Sequence, residues 1–168
     1  MEKNKLYIFS GLPATGKSTL ARELAKKTNA VFLRIDTVEQ GLKNVCNLKV
    51  VEGEGYRLSY LLAKENLQLG NNVIADSVNP WKLSRDEWNN VATSVGVDYV
   101  NIEVICSDKD EHKLRAETRN VGIPGLNPPT WEEIVNRDYH EWSMPRTVID
   151  TAGKTIDQSI AELCEKII

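Results

Sequence analysis

An α/β fold, a mainly parallel sheet with helices on both faces, is what this sequence predicts, and three features predict it. Short runs rich in branched and aromatic residues alternate with longer stretches of helical periodicity, as repeated strand–helix crossovers require. Runs such as "VFLRI" and "VIA" are apolar almost throughout, the pattern of strands buried on both sides. Ser84 with Glu87, Thr130 with Glu133 and Thr155 with Gln158 each have capping-box spacing, which marks helix starts.

Taken in order, the expected strands are Leu6–Ser10, Val31–Asp36, Asn72–Asp76, Tyr99–Cys106 and Thr147–Asp150. Helices are expected from near Lys17 and after each later strand, and Gly70 in "LQLGNN" reads as a helix C-cap. "VGIPGLNPPT", with its prolines and glycines, must be a loop, and a long loop after a basic helix suits a moving part of an enzyme. At 168 residues the chain is about one domain long, with no internal repeat or composition shift, so residues 1–168 are expected to form one unit.

Composition narrows the function. A formal charge of −3 gives no sequence-blind affinity for polyanions, so a nucleic-acid partner would need a local basic patch. Cys46, Cys106 and Cys164 are scattered, with no CxxC pair, which suggests neither a disulfide framework nor a zinc site. His112 and His140 are isolated, and neither is a metal candidate. The early apolar stretch is too short for a signal peptide and there is no 18-residue apolar run, so a cytoplasmic protein without a membrane partner is expected.

The chemistry begins at "GLPATGKST", which combines Gly11-x4-Gly16-Lys17-Ser18 with a strand before it and a helix after it. That is the phosphate-binding pattern in its required context. Glycines let backbone N–H groups turn inward where a side chain would block a phosphate, and the helix start adds its positive dipole end. Lys17 can then reach the β- and γ-phosphates, and the Ser18 hydroxyl can ligate Mg²⁺. Asp76, at the end of "NNVIAD", stands where such proteins hold magnesium, although it could instead open the turn "DSVNP".

Two further features separate a phosphotransferase from a switch. Asp36 closes "VFLRID" at the carboxyl edge of the sheet, where ligands of open α/β sheets bind. It can act as general base toward a hydroxyl, or merely cap a helix starting near Thr37. Arg115 and Arg119, four apart in "SDKDEHKLRAETRN", would share a helix face and could neutralise charge on a transferred phosphoryl group; the competing account is a solvated face with Glu111 and Glu117 pairing them. Arg57 after a Gly-rich stretch, and Arg85 beyond "SVNP", are candidates for touching the acceptor, with salt-bridged structural roles as alternatives. Trp81, Trp88, Trp131 and Trp142 read as packing residues more readily than as a stacking platform.

"GLPATGKSTLA", the Asp of "LRID", the Asp of "VIADSVN", "HKLRAETR" and the closing "VIDTAG" together resemble the small P-loop kinases grouped with zeta toxins, chloramphenicol phosphotransferase, gluconate kinases and polynucleotide 5′-kinases. The resemblance implies a three-layer α/β/α P-loop NTPase fold, a five-stranded sheet of order 2-3-1-4-5, and a short lid at about residues 108–129. It implies that Gly11, Leu12, Pro13, Ala14, Thr15, Gly16, Lys17, Ser18 and Thr19 bind ATP phosphates, that Asp36 is the base, and that Arg115 and Arg119 belong to the lid. It also implies that Thr151, Ala152 and Gly153 lie beside the adenine.

No acid pair follows Asp76 and no motor-type arginine arrangement is visible, which argues against a motor. The expectation is therefore transfer of the γ-phosphoryl group of MgATP to a hydroxyl of a small molecule such as a sugar acid, nucleoside or antibiotic. A polynucleotide 5′-hydroxyl comes next, and a toxin-like kinase of nucleotide sugars with an antitoxin partner is a further possibility. A non-catalytic nucleotide-binding switch is the alternative from another class.

Overall fold

A computed structural model of the protein describes residues 4–167. Strand β1 (Lys5–Ser10) leads through the glycine loop into helix α1 (Lys17–Thr28), followed by β2 (Val31–Arg34), α2 (Ile35–Val45), α3 (Glu54–Gln68) and β3 (Val73–Asp76). Then come α4 (Lys82–Thr93), β4 (Asp98–Ile105), α5 (Lys109–Thr118), the short α6 (Trp131–Val135), β5 (Thr147–Asp150) and α7 (Ile156–Ile167). All pairings are parallel, in the order β2-β3-β1-β4-β5.

Alternation along the strands explains the layers. In β1, Leu6 and Ile8 point into one apolar cluster while Tyr7 and Phe9 point into the other, so a continuously apolar strand serves both faces. The Tyr7/Phe9 face is covered by Leu20 and Leu24 of α1 and Ile160 and Leu163 of α7. The opposite face is covered by Ala63 and Leu67 of α3 and Trp88, Val91 and Ala92 of α4. Trp88 is fully buried and meets the Tyr60 ring edge-on, with centroids 4.6 Å apart. Among the described residues no helix is long and apolar enough to cross a membrane, and the three cysteines are free.

Several boundaries differ from expectation for local reasons. β2 stops at Arg34, and Asp36 lies in the first turn of α2 rather than at a strand tip. There its charge favours the positive helix end from inside the helix, and Arg34 holds the N-cap position without a side-chain cap. The Ser84/Glu87 box does not form, because the N-cap of α4 is Trp81, three residues earlier, and the Ser84 hydroxyl bonds back to the Trp81 carbonyl. Thr130/Glu133 does form the reciprocal box, as do Thr155 and Gln158. α3 ends at Gln68, with Gly70 just beyond it at φ 87°. α5 ends at Thr118, so Arg119 adopts extended backbone angles after the helix and does not continue the face of Arg115.

Trp88→Ala should cost about 3–5 kcal/mol, since it empties the largest fully buried side-chain volume on its face of the sheet. A chemical-denaturation midpoint unchanged from wild type would show that the α4 layer is not anchored there.

Candidate active site

The glycine loop is fixed by contacts that leave no alternative at Gly11. Its φ is 140°, its N–H donates to the Val78 carbonyl at 3.1 Å, and a Cβ built there would lie 2.2 Å from the Val104 carbonyl oxygen. Side chains are excluded both by conformation and by the neighbouring strand. Gly16, at φ 92°, caps α1 in the left-handed region and turns the chain so that Lys17 starts the helix. Thr15 is buried and its hydroxyl donates to the Leu12 carbonyl at 3.0 Å.

Three braces hold this loop from outside. His112 on α5 is buried, with Nε2 2.8 Å from the Pro13 carbonyl oxygen, and its ring meets Trp131 edge-on. The Thr151 hydroxyl, beyond β5, lies 2.8 Å from the Thr15 carbonyl. Arg115 donates to both the hydroxyl and the carbonyl of Thr151, at 2.7 and 3.1 Å, and pairs with Glu111. Composition alone gave no hint of His112, because its partner is a main-chain carbonyl 99 residues away.

Parallel register brings the acids to the same edge. Asp76 lies opposite both Phe9 of β1 and Arg34 of β2. Lys17 Nζ is 3.2 Å from Asp76 Oδ1, and both side chains are more than nine-tenths buried. Asp76 Oδ2 is buried without a hydrogen bond, facing Arg34 Nε at 3.8 Å, beyond hydrogen-bonding reach. Arg34 also lies 3.8 Å from Asp36 Oδ2 and donates to the Val121 carbonyl at 3.0 Å.

Lys17, Arg34 and Asp36 line an open cavity of about 820 Å³, whereas Asp76, 1 % exposed, is not among the lining residues. Pro13, Ala14, Gly16, Lys17, Ser18 and Thr19 form one wall, and Arg34, Asp36 and Glu39 form another. Arg115, Arg119, residues 120, 121 and 126–129, and Thr151 line it as well. Asp36 is thus on the same cavity as the glycine loop, with its side chain 42 % exposed.

Other candidate residues do not line this cavity. Arg57 is exposed on α3 and does not line the cavity. Arg85 is 1 % exposed and lies elsewhere, donating to the carbonyls of Asn79, Pro80 and Glu141 and lying over the Tyr139 and Trp142 rings at 4.8 and 4.1 Å. Burial pulls its pKa down from the usual arginine value. Both side chains stand outside the cavity because α3 turns Arg57 to solvent and the 139–142 segment folds over Arg85. Ala152 and Gly153 do not line the cavity either; Gly153 N–H instead donates to Glu111. Trp131 and Trp142 are engaged in packing against His112 and Arg85.

Glu39 is a cavity residue that sequence reasoning missed. It sits one helical turn after Asp36 and lies against Gly55, where a Cβ would come within 2.3 Å of its Cγ. Burial, then the neighbouring Asp36 charge, raises its pKa to about 7. The i, i+3 spacing from Asp36 was visible in the sequence, but the packing that desolvates it was not.

Two of the three comparisons with known proteins place this architecture. The model of a family described as an AAA domain, AAA_33, matches residues 6–122. The chain belongs to that family. Solved structures to which this AAA domain is similar include the Mycobacterium tuberculosis APS kinase CysC in complex with AMPPNP and APS, with 19% identity over 98% of each chain and a TM-score of 0.69. A gluconokinase from Sinorhizobium meliloti 1021 matches at 13% identity over 99% of this chain and 97% of its own, with a TM-score of 0.63. Chaetomium thermophilum Kti12 in complex with ADP-AlF3 matches at 21% identity over 97% of this chain and 99% of its own, with a TM-score of 0.67. At these identities the likeness shows the fold of a P-loop NTPase, in agreement with the resemblance carried by the motifs. No curated protein matches the AAA domain in sequence.

The raised pKa of Glu39 has a stability consequence. Unfolded, the group ionises near its ordinary value of 4.5; folded, it holds its proton to about pH 7, so its contribution to stability is lost as pH rises between those values. Glu39→Gln should therefore raise the melting temperature more at pH 8 than at pH 5. An equal change at both pH values would show that Glu39 is not desolvated.

Proposed function

We propose that this protein is an ATP-dependent phosphotransferase that moves the γ-phosphoryl group of MgATP to a hydroxyl of a small-molecule acceptor. The observation that carries the reading is that a glycine-loop phosphate cradle and the carboxylate of Asp36 line one cavity, with room left between its walls. A module that only binds nucleotide has no need of a carboxylate across the cavity from the phosphates.

Residues 11–19 would seat the phosphates on inward backbone N–H groups at the start of α1. Lys17 is already charge-paired and buried, and would exchange Asp76 for phosphate oxygens as nucleotide enters. The buried, unpartnered Oδ2 of Asp76 fits a role toward a hydrated cation, as does the Ser18 hydroxyl on the cavity wall. Ser18 and Asp76 would hold Mg²⁺, whose chemistry there is to offset charge on the β- and γ-phosphates.

Asp36 would accept the proton of the acceptor hydroxyl as its oxygen forms the new bond to phosphorus. The bond from that phosphorus to the β,γ-bridging oxygen breaks, and ADP departs with the electron pair. Arg115 and Arg119 would add positive charge around the reacting groups, with Arg115 also holding Thr151 against the loop. The 120–129 segment on the cavity wall would limit water entry, so that transfer outruns hydrolysis. Thr151 would stand at the nucleotide end of the cavity.

A screen of hydroxyl compounds, read as ADP release above the water-only rate, should find acceptors. Asp36→Asn should then lower kcat about 100-fold or more while nucleotide affinity stays within about twofold. Unchanged turnover in Asp36→Asn would remove Asp36 as the base, and a screen that finds no acceptor would favour the switch reading.

A further inference from the structure

The cavity contains two arginines whose guanidinium groups are far from satisfied. Arg34 has a side chain 8 % exposed, yet its only hydrogen bond among the described residues is the one to the Val121 carbonyl. Its contacts with Asp36 and Asp76 are both 3.8 Å, and its Nε is buried without a partner. A guanidinium presents five donors, and here one is bonded to a carbonyl while the Nε donor is buried without a partner.

Arg119 is half-buried and has still fewer partners. Its side chain makes no hydrogen bond or ion pair among the described residues, and its Nε is also buried and unpartnered. Burial lowers its pKa, Asp36 opposes that shift, and the nearby positive charge of Arg34 adds to it. Two arginines with buried, unpartnered Nε atoms therefore line one cavity with Asp36, whose carboxylate acts on both. Removing charge from water without hydrogen bonds is costly, and the cost falls when an oxyanion takes both forks at once.

The position of the pair bears on which oxyanion it takes. Arg34 closes β2 and Arg119 follows α5, and both line the cavity together with Asp36 and Glu39, whereas Lys17 belongs to the glycine loop and is paired with Asp76. An anion there lies next to the hydroxyl that Asp36 would deprotonate. We propose that Arg34 and Arg119 form a seat for an oxyanion substituent of the acceptor, so that the substrate is a small hydroxyl compound carrying a carboxylate, sulfate or phosphate group. The identity of the ligand as an acceptor rests on the phosphotransferase reading, whereas the seat itself does not.

The test fills the nucleotide's own phosphate positions first. The protein is saturated with Mg²⁺ and AMPPNP, and inorganic phosphate is titrated in by calorimetry. Phosphate should bind the saturated protein, and Arg34→Gln and Arg119→Gln should each weaken it about tenfold. Lys154→Gln, which removes a cavity cation already paired with Glu162, should leave it within about twofold. If Arg34→Gln does not fold, Arg119→Gln alone decides. Loss of phosphate binding once AMPPNP is bound, or an equal loss in all three variants, would overturn the proposal. In turnover with whichever alcohol is phosphorylated, phosphate should compete with the acceptor and not with ATP; competition with ATP, or a best acceptor without an anionic group, also overturns it. A protein that transfers phosphoryl groups to nothing, yet binds phosphate through Arg119 in the nucleotide complex, would lose the kinase reading and keep the seat.

Discussion

One buried carboxylate organises this molecule's polar edge. Asp76 ends the strand between β1 and β2, so its two oxygens face the Lys17 ammonium on one side and the Arg34 guanidinium on the other. Burying three charges in a row is tolerable only when each has an opposite neighbour, and removing the central one would strand two cations in a desolvated site. Arg34 in turn stands beside Asp36, which extends the alternating series to the open side of the cavity. Placement of the glycine loop, Asp76 and Asp36 thus depends on parallel register, which sets Phe9, Asp76 and Arg34 level with one another.

Much of this was legible in the sequence because it is local or periodic. Continuous apolar runs gave a sheet covered on both sides, and the glycine spacing gave the loop; the order of the strands came with the motif resemblance, and it is the order observed. What was not legible depends on chain segments meeting from far apart. Arg85 appeared suited to an anion because it opens a helix near the right edge, but the return of residues 139–142 encloses it in carbonyls and ring faces. Glu39 was not singled out at all, because the space its side chain enters is left by Gly55 on another helix. The reach of Asp36 into the cavity survived a local error, since the strand ends two residues earlier than expected and the acid is carried on the first turn of α2 instead.

The arginines after β4 show how spacing misleads when a helix stops. A four-residue interval puts two side chains on one face only while the helix continues, and here Arg119 has left it. The consequence is a division of labour: Arg115 is spent on Thr151 and Glu111, and Arg119 is left uncommitted at the cavity wall.

The bond from Arg34 to residue 121 ends on a main-chain carbonyl rather than on a side chain. Every amino acid supplies that oxygen, so the anchoring of this wall places no demand on the chemical identity of position 121. Descendants of such a chain can therefore exchange the side chains along this wall while the mooring to the sheet edge and the glycine loop stay as they are. On the proposed phosphotransferase reading, that separates inheritance of the reaction from inheritance of its preference.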